Sequence, residues 1–284
     1  MINIQFKRTY IKPFLILLTI SFIYLLASRK TTTTTTPHVH IVTIQTQPKA
    51  YIITADCRSI RFNITKINIE RVFPNYFDIR CFLSVSLNDS RIHTSSSAIL
   101  KKWSSNLLAF VDLWTYEIPK SSNNNNNNNE FEWSFIFEDD VNFCDPSQVS
   151  LLNFIEPLQE LTHNQQIQQN DGFVYLGICG PDFNNSSPSI IFKNTKNSLK
   201  SEKGYGFCLH ATGITTKRSR TFWSEISSYR PNEGDKSLDH QLRQYSLRSR
   251  KYFYTFGSNY LYPPGTGHYG IAYQDRGKFG SSIS

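Results

Sequence analysis

The sequence predicts an α/β fold, a single domain built on a mainly parallel sheet. From residue 51 onward, strand candidates alternate with helical patterns, the mark of strand–helix–strand units. Hydrophobic residues make up 39% and aromatics 14% of the 284 residues, enough for a substantial core. The apolar run Trp133-Ser134-Phe135-Ile136-Phe137 ends in Glu138, Asp139 and Asp140, acids placed where an open sheet binds its ligands, at a strand's carboxyl end.

Taken in order, residues 1–12 carry Lys7, Arg8 and Lys12, and an uncharged apolar stretch follows at residues 13–28. It is short for a membrane helix, and no small-x-small cleavage site follows it. The basic residues ahead of it favour a cytosolic N-terminus. The expectation is an uncleaved signal-anchor, with a cleaved signal as its rival, and a single-pass type II protein of the endoplasmic reticulum or Golgi membrane. Residues 29–48, with the threonine run at 31–36 and Pro37, cannot form a core and are expected to be a stem. The folded body is expected over residues 49–284.

Within that body, residues 51–54 and 77–85 have strand character, with a polar segment holding Arg58 and Arg61 between them. Apolar side chains from Leu100 to Trp114 recur at helical spacing and predict a helix over 99–118. The asparagine tract at 123–129, within an expected loop 121–130, is a surface expansion of little thermodynamic cost. Further strands are expected at 133–137, 173–176 and 205–211, and helices at 149–161, 217–227 and 237–246. Residues 184–203 read as a polar loop. There is no glycine-rich dinucleotide fingerprint and no P-loop.

The formal charge of +8 comes partly from the residues flanking the apolar stretch and partly from clusters around Lys217 and Arg248, without a nucleic-acid-binding motif. No nucleic-acid partner is expected. Acceptor triplets for N-glycosylation begin at Asn63, Asn88, Asn184 and Asn185, in keeping with a lumenal body. The cysteines Cys57, Cys81, Cys144, Cys179 and Cys208 lack zinc-binding spacing; one or two disulfides would leave an odd thiol, and spacing does not fix the pairing.

Burying three acids at a strand end costs several kcal/mol unless something positive neutralises them. Strand alternation puts Glu138 and Asp140 on one face and Asp139 on the other. An acid-x-acid pair of this kind suits a hard divalent cation, Mn²⁺ or Mg²⁺, held through oxygen. An acidic turn after an edge strand is the plainer alternative.

Several segments, in order along the chain, resemble glycosyltransferase family 25, which contains bacterial lipooligosaccharide and animal collagen galactosyltransferases. Residues 51–61, Tyr-Ile-Ile-Thr-Ala-Asp-Cys-Arg-Ser-Ile-Arg, look like that family's opening strand and arginine-bearing turn. Residues 105–114 are similar to its Ser-His-Leu…Trp helix, with Asn106 where histidine is usual. Residues 135–141, Phe-Ile-Phe-Glu-Asp-Asp-Val, resemble its metal-binding core, and residues 171–177 its Asp…Leu-Gly strand. Residues 206–213 match a segment usually written with Ala-Tyr, here with Thr212 in place of the aromatic. Residues 237–240 resemble its Val-Asp helix start, and Gln274, Ser281 and Ile283 its Gln…Ser-x-Ile end.

The resemblance implies a GT-A (Rossmann-like) fold and inverting transfer from a nucleotide sugar, often a UDP-sugar such as UDP-galactose. The acceptor would be a glycan, a glycolipid or a glycoprotein hydroxyl. Glu138 and Asp140, with His268 as a further ligand, would hold the metal, and Asp139 would turn towards the nucleotide ribose or a structural partner. Arg58, Arg276 and Lys278 are the candidates for pairing with the diphosphate. Asp239 is the candidate base, with Asp171 and Glu225 behind it and a helix-start acid as its plain alternative. His210 is a second histidine candidate, and the Gly/Pro segment 262–269 suits a closing loop. Two rival readings stand beside this one: a catalytically inactive relative acting as a lumenal binding or chaperone-like module, and a metal-dependent phosphodiesterase. The second would want ligands for two metals, and no second acidic cluster is present.

Overall fold

β1 (Lys49–Thr54) is the pivot of the fold, pairing in parallel with β2 (Asp78–Leu83) on one side and β3 (Trp133–Glu138) on the other. This computed structural model describes residues 47–93, 96–122, 129–149, 153–184, 186–192, 199–229, 237–261 and 265–275. The expected anchor, most of the stem, residues 123–128 of the asparagine tract, and Asn185, Arg276, Lys278, Ser281 and Ile283 lie outside them. No helix among the described residues is long and apolar enough to cross a membrane.

α1 (Ile60–Val72) makes the crossover from β1 to β2. α2 (Ala98–Asp112) runs through a π turn into the short α3 (Ile118–Ser122) on the way to β3. Since β2 and β3 leave β1 in opposite directions, the winding reverses there, and a crevice opens at the carboxyl ends of β1 and β3. α1 was not expected, because residues 60–72 alternate isoleucine and threonine with asparagine and lysine and are poor helix formers. Ser59 starts the helix by accepting the Phe62 N–H, and Thr65, Ile69 and Val72 bury one stripe of it.

After β3 come β4 (Val141–Phe143), α4 (Ile155–His163), β5 (Phe173–Tyr175), β6 (Gly177–Phe183), β7 (Ile190–Phe192), β8 (Leu199–Phe207) and β9 (Ala211–Thr215). α5 (Thr216–Ser227), α6 (Leu238–Ser249), β10 (Phe253–Phe256), β11 (His268–Gly270) and β12 (Ala272–Gln274) complete the chain. Ten strands form one sheet in the order β11-β6-β8-β10-β5-β9-β3-β1-β2, with β7 on β8; β12 and β4 pair separately.

The sheet is mixed, which corrects the expectation of a mainly parallel one. Parallel pairing is confined to β1/β2, β1/β3 and β5/β10, each spanned by a helical connection. From β5 to β9 no helix intervenes among the described residues, and strands joined without a crossover pair antiparallel. The expected loop 184–203 holds β7 and the start of β8. The expected strand 205–211 is two strands, broken where Cys208 takes a φ of 69°.

Alternation sorts the strand side chains into two cores. Ala50, Ile52, Phe135 and Phe137 pack on one face with Ile69 and Val72 of α1 and Leu158 and Leu161 of α4. Tyr51, Ile53 and Ile136 pack on the other with Phe110 of α2, Phe222 of α5 and Leu242 of α6. With helices on both faces, this is a three-layer α/β domain, and the described residues form one compact unit. Disulfides join Cys57 to Cys81 and Cys179 to Cys208, while Cys144 is a buried thiol. Two such bonds point to an oxidising compartment or the secretory pathway.

Candidate functional site

β3 stops at Glu138, and Asp139 and Asp140 form the turn into β4. Strand alternation therefore does not extend through the three acids, and Asp139 does not face away from Asp140. One guanidinium serves both: Arg61 Nη2 lies 3.0 Å from Asp139 Oδ1 and 3.5 Å from Asp140 Oδ2. Asp139 Oδ2 also accepts the Thr54 hydroxyl at 2.7 Å, and its carbonyl accepts Thr65 Oγ1 at 2.9 Å. The backbone dictates this grouping. Parallel register sets Ile53 beside Glu138, which brings Thr54 to the turn, and Arg61 and Thr65 lie one helical turn apart on the same side of α1.

Glu138 is held separately. Asn106 of α2 donates to Oε1 at 2.8 Å and Gln274 of β12 to Oε2 at 2.7 Å. Its backbone N–H donates to the His210 carbonyl. Burial first, then the charge of Asp140, push Glu138 up to about 7, against the two amide hydrogen bonds; Asp239 adds a smaller push in the same direction. Asp140 is only 2% exposed. Negative charge is thus concentrated at the end of β3.

Asp239 stands in the first turn of α6 and accepts the His240 N–H. It lines a cavity of about 170 Å³ together with Glu138, Asn106, Trp103, Leu209 and Gln274. Asn106 and Glu138 also line a larger cleft of about 670 Å³, reaching Thr54 and Asp56 after β1, Ser84 after β2, and Asp139. The two hollows share a wall that carries the acid.

The other expected residues lie as follows. Arg58 is exposed in the turn after β1, its N–H donating to Asp56 Oδ1. His268 lies on β11 beside buried His210, with ring centroids 5.8 Å apart. Among the described residues, the ligand atoms that lie mutually within 4.8 Å in a group of three are those of Cys179, Cys208 and His210. Both cysteines are in a disulfide, so they offer no thiolate to a metal. Asp171 pairs with Lys203, and Glu225 is held by Arg218, Tyr245 and Lys251. Asp171 precedes β5, whose carboxyl end points the same way as that of β3 because both run antiparallel to β9. Asp171 therefore sits at the opposite end of the sheet from Glu138, and so does Glu225, through its contact with Arg218 just after β9.

Thr54 and Thr65 were not singled out from the sequence, and Arg61 was named there without a role. The available signal was the N-cap Ser59, which fixes where α1 begins and so where Arg61 points. Comparison of the chain with protein-family models and with curated proteins finds no match.

Proposed function

We propose that the chain is a metal-dependent glycosyltransferase that moves a sugar from a nucleotide-sugar donor to a hydroxyl acceptor. The observation that carries this reading is the placement of half-buried Glu138, two residues before buried Asp140, at the winding reversal, on the wall between a large cleft that also reaches Asp139 and a small cavity lined by Asp239. The donor set fits a hard cation. It offers carboxylate oxygens, and Mn²⁺ or Mg²⁺ is commonly held by one or two carboxylates with phosphates and water completing the shell. When bound there, the ion would offset charge developing on the departing nucleotide.

The chain's own residues take the remaining roles. The larger cleft takes the nucleotide, with Thr54 and Arg61 fixing Asp139 along its floor. Asn106 and Gln274 hold the Glu138 carboxylate in one orientation. Asp239 accepts the proton of the acceptor hydroxyl in the smaller cavity. The resemblance to glycosyltransferase family 25 supports this arrangement, since Asn106, Glu138, Asp239 and Gln274 come from four of the segments that carry it. The two disulfides support a lumenal setting in the endoplasmic reticulum or Golgi.

One observation favours the rival of an inactive binding module. Arg61 already reaches Asp140, and both Glu138 oxygens already accept amide hydrogen bonds. Turnover of a panel of UDP-sugars with Mn²⁺, comparing wild type with Asp140→Ala, separates the readings. Metal-dependent turnover lost in the variant is the expected result. No turnover with any donor, together with saturable UDP binding, would leave the inactive module. Phosphodiester cleavage without a sugar donor would point to the phosphodiesterase.

A further inference from the structure

A second concavity, of about 610 Å³, opens at the amino ends of β5 and β10, at the opposite end of the sheet from Glu138. Its charge is the reverse of the acid site's. Lys203, Arg218, Arg250 and Lys251 line it against one carboxylate, Asp171. Lys203 Nζ lies 2.7 Å from that carboxylate, and Lys251 Nζ lies 3.2 Å from Glu225, so these two charges are partly matched.

Two cations are not fully matched. Arg218, with its side chain 11% exposed, gives Nη1 to Glu225 and Nη2 to the Tyr245 hydroxyl. Its Nε is buried and has no hydrogen-bond partner among the described residues. A buried donor of this kind is costly unless a ligand or water satisfies it. Arg250, exposed on the rim, has no ion pair among the described residues and closes α6 at φ 55°, ψ 31°. Glycine is the usual occupant of that left-handed position, and a long side chain there is strained. A cation near a helix C-terminus gains from the helix dipole, but Arg248 already stands in the last turn. The strained arginine is thus more than the helix end requires, and its charge faces the rim of a hollow that already holds three others.

The neutral lining is polar. Asn184 and Ser187 line the hollow, the amide donating to the hydroxyl at 3.1 Å, and Tyr252 stacks on Tyr205 with ring centroids 5.7 Å apart. Guanidinium and ammonium groups recognise oxyanions, while amides and hydroxyls pair with a polyol. A concave hollow suits a small ligand better than a membrane surface.

We propose that this cavity binds a sugar bearing an oxyanion, as a phosphate or a sulfate ester, with Arg250 and Arg218 as its anion contacts. The site is separate from the acidic one and does not depend on the activity proposed for it.

The test is calorimetric titration of the folded chain, disulfides intact, with glucose 6-phosphate, N-acetylglucosamine 6-sulfate, inorganic phosphate, inorganic sulfate and glucose. The protein is produced without N-linked glycans, because Asn184 of an acceptor triplet lines the cavity. Saturable binding of one ester, at least tenfold tighter than its inorganic anion and weakened by salt, is expected; which ester binds identifies the source of the oxyanion. In Arg250→Gly binding should weaken by about tenfold or more, the loss of one charge-assisted contact. The variant's melting temperature should stay level or rise, because glycine relieves the left-handed backbone. Binding unchanged in Arg250→Gly would overturn the assignment and leave Arg250 a helix-end cation. Equal binding of ester and inorganic anion would overturn the sugar specificity, and glucose binding as well as its ester would overturn the role of charge. No saturable binding by any probe would overturn the site.

Discussion

Glu138 sets the pH behaviour of the acid site. Its carboxyl stands near 7 in the folded chain against an ordinary 4.5. On raising pH, the unfolded chain gives up this proton first, so stability falls between about pH 4.5 and about pH 7 and the loss is constant above that. At about 1.4 kcal/mol per pH unit, the fall is roughly 3 kcal/mol at most. The metal-free protein should therefore melt progressively lower across this window, and saturating Mn²⁺ should remove much of the fall by favouring the ionised form. Scanning calorimetry at stepped pH checks this, and Glu138→Gln should flatten the curve. Arg61 carries the complementary prediction. Arg61→Ala leaves Asp139 and Asp140 without their shared guanidinium at a site where Asp140 is buried. Arg61 is itself a quarter exposed, so the loss should be about 2 kcal/mol in urea titration, below that of a fully buried pair.

Among the elements, β6 and β12 are packed closely behind the site. A Cβ on Gly177 would overlap the Ala272 carbonyl and lie 2.5 Å from His210 Nε2. His210 in turn contacts the Ala272 carbonyl and accepts the Glu138 N–H on its own. Gly177→Ala should cost about 1–3 kcal/mol from overpacking and lower the affinity for Mn²⁺ through displacement of the His210–Glu138 backbone link, measured by melting and by metal titration. This scale also shows what the sequence made legible. Strands β1, β3 and β5 and helices α2, α5 and α6 stood out, since each buries a full face or stripe, while β2 stood out by its strand-forming residues although it is only half-buried. α1 did not, because its residues are poor helix formers and its capping serine sits in an otherwise polar stretch. β6, β7 and the first part of β8 did not, because β6 and β8 carry polar residues that read as loop and β7 is only three residues long. At the site, the three acids were legible as a break in an apolar run. Their division was not, because alternation holds only while the strand lasts, and the turn at Asp139 ends it.

For the molecule as a whole, the two disulfides bridge separations of 24 and 29 residues. Chain-entropy arguments assign each about 3 kcal/mol. Both also touch the site's surroundings: Cys57 follows Asp56 on the rim of the large cleft, and Cys208 lines the small cavity. Reduction should therefore lower the melting temperature and loosen both hollows together, with Cys57→Ser/Cys81→Ser weakening UDP binding and Cys179→Ser/Cys208→Ser leaving it less affected. Equilibrium dialysis on the two variants checks that order.

The position of β9 sets the order in which the chain can fold as it is made. β3 and β5 are never neighbours; β9 lies between them and pairs antiparallel to each, yet follows both in the sequence. A nascent chain that ends before residue 211 has both flanking strands and nothing to join them, so each presents an open edge. Once residues 211–215 clear the ribosome, β9 joins β5 to the β3-β1-β2 end, and β10 at residues 253–256 then joins β5 to β8 and β6. Stalled chains ending short of residue 211 should be protease-sensitive, and resistance should appear in two steps, as β9 and then β10 emerge.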